Sequence, residues 1–313
     1  MKNNTGSLPA ICLGGPTGSG KTAAALKLAR IWNCEIVNAD SRQLYKDFPI
    51  ITAQPDKKER SGIPHHLYGL LSTNEKCTAA EWIDLARESM VKILEKGKIP
   101  LLVGGTGFYI KAIFEGLSAI PPADPSISSQ IIERMRELGS RALYAELAGI
   151  DPDTARKIHP NDKQRICRGL EVFHSTKKTL YWWHKNAAKT SIATGPVFWL
   201  APQLKNLEPI LIKRIWQMLD KGAQEEVKMA LKNFADFAFP GWESIGAREL
   251  ASYLLNKTSL DDCVKRWFEL TRAYAKRQLT WFRGQNKWHP FINSDALLEF
   301  AENNKNLPEN LVC

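Results

Sequence analysis

The run Gly15-Pro16-Thr17-Gly18-Ser19-Gly20-Lys21-Thr22 has the residue types and spacing that most directly imply chemistry. It follows the pattern G-x-x-x-x-G-K-[ST], with an apolar stretch, Ala10-Ile11-Cys12-Leu13-Gly14, before it and a helical pattern, 23–29, after it. In that context the glycines let backbone N–H groups converge on phosphate oxygens, and the helix N-terminus adds its partial positive charge. Lys21 can bridge phosphates, and Thr22 can hold a magnesium ion. The expected ligand is a polyphosphate or pyrophosphate; the motif does not say for which reaction.

The surrounding elements must hold this loop in place. Ile36-Val37-Asn38-Ala39-Asp40 reads as a buried parallel strand ending in an acid. The spacing over 78–96 predicts a helix with Thr78 as N-cap and Gly97 as its stop. Ile99-Pro100-Leu101-Leu102-Val103 is the next strand, closed by Gly104-Gly105-Thr106-Gly107. Strands alternating with helices imply an α/β fold: a P-loop NTPase-like parallel sheet flanked by helices, with ligands at the carboxyl ends of the strands. Gly20, Asp40 and Thr106 fall along that edge.

At Ile120-Pro121-Pro122-Ala123-Asp124-Pro125 the pattern changes. Helical segments near 126–138, 140–149, 151–158 and 162–174 dominate as far as Lys189, and strand character returns over 194–200. The expected organisation is a discontinuous core, 1–119 and 194–313, with an all-helical insertion domain over 120–193. The tail after Ala296 is largely polar and reads as a terminal extension.

Composition narrows the function classes. In 313 residues, 44% are hydrophobic and 24% charged, ordinary for a globular protein. The net charge of +10 is uneven: residues 151–290 hold 24 Lys and Arg against 14 Asp and Glu, and the remainder balances at 19 against 19. A basic excess away from the phosphate loop points to a second polyanion, nucleic acid first; a solvated basic surface is the alternative. No apolar run nears the ~20 residues that cross a bilayer. Met1–Ser7 lacks the apolar segment of a secretion signal, and the six cysteines show no metal-ligand spacing, so reduced thiols and a cytoplasmic location are expected.

The clearest nucleic-acid signature is in 263–283. Lys265, Arg272, Lys276 and Arg283, spaced 7, 4 and 7 apart, form one stripe on a helix, and Trp267, Leu270, Tyr274, Gln278, Trp281 and Phe282 fall on other faces. A basic stripe backed by apolar residues can track phosphates while its helix packs on the domain. A solvated cationic face is the rival reading.

GPTGSGKT (15–22), NADSRQLY (38–45), PHHL (64–67), GKIPLLVGGTGFY (97–109), PPADP (121–125), DPDTARKIHPNDKQRICRGLEVF (151–173), KRIWQML (213–219), SIGARELASYL (244–254) and TRAYAKRQLTWFR (271–283) together resemble one family, the bacterial-type tRNA dimethylallyltransferases. These enzymes prenylate adenosine 37 beside the anticodon. The resemblance implies transfer of a five-carbon allyl group from dimethylallyl diphosphate to N6 of adenine, with diphosphate released. It implies that Gly15 through Thr22 bind the diphosphate, with Mg2+ on Thr22 and Arg214 as a further cation. Asp40 would take the N6 proton, and Gln43 would hold the adenine edge. Ser41, Gln43, Thr106, Arg165, Lys265, Arg272, Lys276 and Arg283 would contact tRNA, the insertion domain meeting the anticodon stem-loop. A monomer with no membrane attachment is expected.

Bland readings stand beside these. Asp40 could cap a following helix or hold magnesium, and Thr106 could line the site or cap a helix. Tyr109 could be core. Asn161 and Asp162 read as caps of the helix 163–173, and Arg165 and Arg168 as either phosphate contacts or partners of Glu171. His65 and His66 carry no assigned chemistry. The chain also departs from the family pattern: Phe48-Pro49-Ile50-Ile51-Thr52-Ala53-Gln54-Pro55 replaces Asp-Ile-Gly-Thr-Ala-Lys-Pro, losing a glycine and a lysine. Ile245-Gly246-Ala247-Arg248-Glu249 loses an aromatic, and Gly169 replaces an alanine inside a helix at a cost of about 1 kcal/mol. The rival functions are a P-loop small-molecule kinase or ATPase and a non-catalytic RNA-binding protein. Against the first, the strand at 99–104 ends in glycine with no acid.

Overall fold

A computed structural model describes residues 6–312; Met1–Thr5 of the N-terminal segment and Cys313 lie outside them. The chain divides into two compact units, one formed by residues up to Glu115 together with those from Ser191, the other by Gly116–Thr190. The smaller unit thus begins four residues before, and ends three residues before, the 120–193 read from the sequence.

The larger unit opens with β1 (Leu8–Pro9), β2 (Ile11–Gly14), α1 (Lys21–Ile31), β3 (Cys34–Asn38), β4 (His65–His66), α2 (Ala79–Glu95), β5 (Ile99–Gly104) and α3 (Gly107–Glu115). The smaller unit holds α4 (Pro125–Ile150), α5 (Pro152–Ala155), α6 (Lys163–Thr176) and α7 (Leu180–Asn186). The chain returns with β6 (Ala193–Thr194), β7 (Val197–Leu200), α8 (Leu204–Asp220), α9 (Ala223–Asn233), α10 (Ala247–Leu254), α11 (Leu260–Arg283), β8 (His289–Phe291), α12 (Ser294–Asn303) and α13 (Glu309–Val312).

Six parallel strands in the order β4-β3-β5-β2-β7-β8 form the sheet. Every residue of β2, β3, β5 and β7 is buried, as expected of parallel strands covered on both faces. Local signals act where the sequence places them. Thr78 Oγ1 accepts the Glu81 N–H at 3.2 Å and Glu81 Oε2 accepts the Thr78 N–H at 2.7 Å, a reciprocal cap on α2. Gly97, at φ 69°, ends that helix in the left-handed region.

Two expectations are corrected. The strand read over 194–200 is split: Gly195, at φ 137°, approaches Ala10 so closely that a Cβ would lie 2.1 Å from its carbonyl oxygen, and only Val197–Leu200 joins the main sheet. The tail after Ala296 is core rather than extension. Leu297 and Ala301 of α12 are fully buried with Leu28 of α1, and the Trp32 indole donates to the Asn304 carbonyl at 3.1 Å. Only two apolar side chains of α12 are fully buried, so composition conceals the role.

The smaller unit has its own core of Ile131, Met135, Leu143, Leu147, Ile166 and Leu170. α4 is broken at Gly139, with φ 77° and ψ 172°, between the two helical stretches that spacing predicts. The Asp162 side chain accepts the Arg165 N–H and caps α6. Gly169 has a packing reason: a Cβ there would come within 2.8 Å of Leu147, so α6 lies closer to α4 than alanine permits. α7 is a helix that the sequence pattern does not predict.

Candidate active site

Loops at the carboxyl ends of β2, β3 and β5 converge at the point where the sheet order turns from β5 to β7 about β2. The loop after β2 turns through Gly15, Gly18 and Gly20 at φ 142°, 79° and 84°, conformations that side chains resist. Gly20 precedes α1 and supplies no side-chain cap, leaving the first N–H groups of the helix for a phosphate. Lys21 Nζ donates to the Pro16 carbonyl at 2.7 Å, as does Ser19 Oγ at 2.8 Å, which closes the loop on itself. Burial lowers the Lys21 pKa to about 8, Asp40 opposing the drop and Arg214 adding to it. Thr22 is exposed on the first turn of α1. Arg214, one helix away on α8, reaches Thr17 Oγ1 at 3.4 Å, and its own pKa is lowered by burial against the pull of Asp40.

β3 stops at Asn38, and Asp40, two residues on, opens the turn that follows. Asn38 Oδ1 accepts the Asp40 N–H at 2.9 Å, and Asp40 Oδ1 accepts the Arg42 N–H at 3.0 Å. Its second carboxylate oxygen has no hydrogen-bond donor among the described residues and lies beside Gly105, where a Cβ would approach it to 3.3 Å. Asp40 therefore caps a short turn through one oxygen and presents the other to the site. Its charge also helps to keep the Tyr68 and Tyr274 hydroxyls protonated, after burial, the larger cause.

Thr106 is not a side-chain cap for α3. Its Oγ1 accepts the Ser41 N–H at 2.9 Å and donates to Ser41 Oγ at 3.2 Å, tying the turn after β5 to the turn after β3. Tyr109 is core, stacked on Trp82 with ring centroids 4.4 Å apart. Gln43 commits its amide nitrogen to the carbonyls of Thr52 and Ala53, at 3.0 and 2.9 Å, so that end is not free for an adenine edge.

A cleft of about 210 Å³ opens beside these groups. Thr17, Asp40, Arg42, Arg214, Tyr274 and Arg277 supply its polar lining, and Ile51, Leu211, Ile215, Met218, Ile245 and Trp267 its apolar lining. Arg42 and Glu243, both lining the cleft, pair at 2.8 Å. Phosphate-binding groups, a carboxylate with one free oxygen and an apolar wall thus share one space. Such an arrangement suits transfer of an apolar group away from a phosphate to a nucleophile that must lose a proton.

α11 packs over the site. Lys265, Arg272, Lys276 and Arg283 lie along it, and Trp267, Gln278, Leu279 and Phe282 are buried. Arg272 pairs with Glu208 at 2.6 Å, so the stripe is less positive than its residues suggest. In the smaller unit Arg165 is exposed and lies 3.5 Å from Asp162, and Arg168 lies 3.9 Å from Glu171.

Sequence reasoning missed the role of Gln278. Its Oε1 accepts the Thr17 N–H at 2.9 Å and its Nε2 donates to the Gly105 carbonyl at 2.9 Å, joining the phosphate loop to the loop after β5. A polar residue on the buried face of an otherwise apolar helix was the signal to read. Arg42, Tyr274, Arg277 and Glu243 were missed as well; the first three lie within the quoted motifs and Glu243 adjoins one, but none carries a spacing of its own.

Away from the site, Glu35 is buried with His66 at 2.8 Å and Lys96 and Lys98 at 3.1 Å. The pairing with Glu35 gives His66 of PHHL a structural role without chemistry. Burial alone would raise the Glu35 pKa, but its three partners draw it down to about 2.

The parallel sheet and the loop–carboxylate pair place the chain among P-loop-type transferases. Comparison with known proteins sharpens this. The pattern of the IPP transferase family matches residues 43–285. A tRNA dimethylallyltransferase of Desulfovibrio desulfuricans is 49% identical over 94% of this chain and 92% of its own length. One from Oleidesulfovibrio alaskensis is 44% identical over 92% of this chain and 94% of its own. A eukaryotic dimethylallyltransferase described as acting on tRNA superposes with a TM-score of 0.75 at 31% identity, covering 88% of this chain and 70% of that one. The full-length tRNA isopentenylpyrophosphate transferase of Bacillus halodurans gives 0.68 at 28% identity, with 98% of each chain covered. The chain belongs to the IPP transferase family, in agreement with the resemblance of its motifs.

Proposed function

We propose that this chain transfers a dimethylallyl group from dimethylallyl diphosphate to N6 of adenosine 37 in tRNA, giving N6-(dimethylallyl)adenosine and free diphosphate. The observation that carries the reading is the free Asp40 oxygen in the same cleft as Arg214 and the phosphate loop. The bond between the allylic carbon and the diphosphate oxygen breaks, its electron pair leaving with diphosphate. The N6 lone pair forms the new C–N bond, and the N6 proton passes to Asp40.

Loop N–H groups, Lys21 and Arg214 stabilise the charge that gathers on the departing diphosphate. Thr22 fits as one oxygen ligand of a magnesium ion, a cation that keeps most of its shell as water and phosphate oxygens. Bound there, the ion would supply further charge neutralisation. The apolar wall would hold the five-carbon tail away from water, and Gln43, its amide nitrogen on the 52–53 carbonyls, would meet the adenine edge through its Oε1 alone.

The basic stripe of α11 and the basic helices of the smaller unit are the surfaces offered to the anticodon stem-loop. All cleft residues come from one unit of one chain, which supports a working monomer. Among the described residues no helix is long and apolar enough to cross a membrane. A tRNA substrate fits the cytoplasm, as do the five cysteines among the described residues, all of them free thiols.

The test is direct. Purified protein, magnesium, radiolabelled dimethylallyl diphosphate and unmodified tRNA carrying A36-A37-A38 should yield labelled tRNA. ATP hydrolysis or phosphoryl transfer without label in tRNA would support the kinase alternative instead.

A further inference from the structure

We propose that Ile51 sets the length of prenyl donor that the cleft admits, by closing the apolar end of the space that begins at the phosphate loop. The inference rests on the transferase reading above and deepens it.

α8 carries the apolar wall. At one end Leu211 lies against Gly18, where a Cβ would come within 2.8 Å of Leu211 Cδ2. Ile215 and Met218 follow on the same face and line the cleft. From Leu211 to Met218 the wall runs about 10 Å along the helix axis. Beyond the end of α8, a Cβ on Gly222 would lie 3.9 Å from Ile50 Cδ1, so the 48–55 loop meets the wall at the end away from the phosphates. Ile51, the next residue, is buried and lines the cleft.

Its backbone is held firmly. The Glu226 carboxylate, in the first turn of α9, accepts the N–H of Ile50 at 2.6 Å and of Ile51 at 2.9 Å. Gln43 grips the following carbonyls of Thr52 and Ala53. A donor anchored through its diphosphate must extend its hydrocarbon along this wall, and a fixed branched side chain at the far end limits how far it goes.

The experiment compares kcat/KM for dimethylallyl and geranyl diphosphate, five and ten carbons long, with the same tRNA. Ile51→Ala should raise the geranyl-to-dimethylallyl ratio about tenfold or more, the discrimination that a few methylenes of pocket volume command. Ile51→Val should shift it less, in the same direction, and serves if the alanine variant does not fold. Ile50→Ala, on the same turn but off the cleft, should leave the ratio unchanged. An unaltered ratio in a folded Ile51 variant overturns the proposal. So does a change confined to the KM for tRNA, which would place Ile51 against the nucleoside. Failure of the wild-type protein to label tRNA from either donor would overturn the transferase reading itself, a separate result.

Discussion

The Gln278 side chain accepts the Thr17 N–H at 2.9 Å, joining a residue of α11 to the phosphate loop across 261 positions of sequence. The same amide donates to Gly105, so one side chain sets the spacing of two loops. Three glycines make the approach close. A Cβ at Gly14 would strike Phe282 at 2.4 Å, at Gly105 it would strike Gln278 at 2.2 Å, and at Gly107 it would strike Trp281 at 2.1 Å. Residues 278, 281 and 282 form one helix face, and the glycines are the surface it needs.

Gln278→Met keeps the length of the side chain and removes both hydrogen bonds. The donor kcat/KM should fall by up to about 100-fold as the loop drifts by a fraction of an ångström, mainly through donor KM. The Thr17 N–H left without its acceptor should cost about 1–3 kcal/mol of stability, whereas the Gly105 carbonyl keeps the Gly107 N–H. Gln278→Glu, which can still accept from Thr17, should recover part of the donor KM. Steady-state kinetics with thermal melting check both effects, and a donor KM unchanged in Gln278→Met would remove the proposed tie.

Asp40→Asn should lower single-turnover transfer by about 10²–10⁴-fold, the usual worth of a positioned base. The amide can still accept the Arg42 N–H, so the turn should survive and tRNA affinity should stay near wild type. Rapid-quench transfer beside filter binding separates the two. Near-normal turnover would eliminate Asp40 as the proton acceptor.

Within the basic stripe, Lys276→Ala should weaken tRNA binding and reduce the salt slope by roughly 0.7–0.9 for each phosphate it no longer neutralises. Arg272→Ala should change the slope less, because Glu208 already neutralises that guanidinium at 2.6 Å. Titrations across a salt series measure both. Equal slopes for Lys276→Ala and wild type would take this face out of the RNA interface.

Glu35 supplies a pH signature. Its folded pKa, about 2, lies below the ordinary 4.5, so its stabilisation is full above the ordinary value and is lost as pH falls from there toward 2. Glu35→Gln should be less stable than wild type at neutral pH, with the gap in melting temperature narrowing as acid is added between about pH 5 and 3. A gap that holds constant over that range would show that the charge of Glu35 is not what stabilises the cluster.

The readable part of this protein lies where a few adjacent residues decide the outcome. The glycine positions of the phosphate loop, the Thr78–Glu81 cap, the Asp162 cap and the period of α11 all depend on backbone preference or on partners within one turn. The buried strands followed from their apolar runs. β8 and α12 escaped because three residues of strand and two buried side chains leave no period to detect.

Sequence by itself determined the phosphate loop, the carboxylate that follows β3 and the family that shares them. Tertiary structure alone decided that Gln278 locks that loop, that the Gln43 amide nitrogen is spent on the 52–53 backbone, that Glu208 quiets Arg272 and that Ile51 lines the cleft. Caps and turns are settled within about four residues of chain. These other pairings join segments that become neighbours only when the sheet and its helices pack, and no local preference encodes which polar group will meet which.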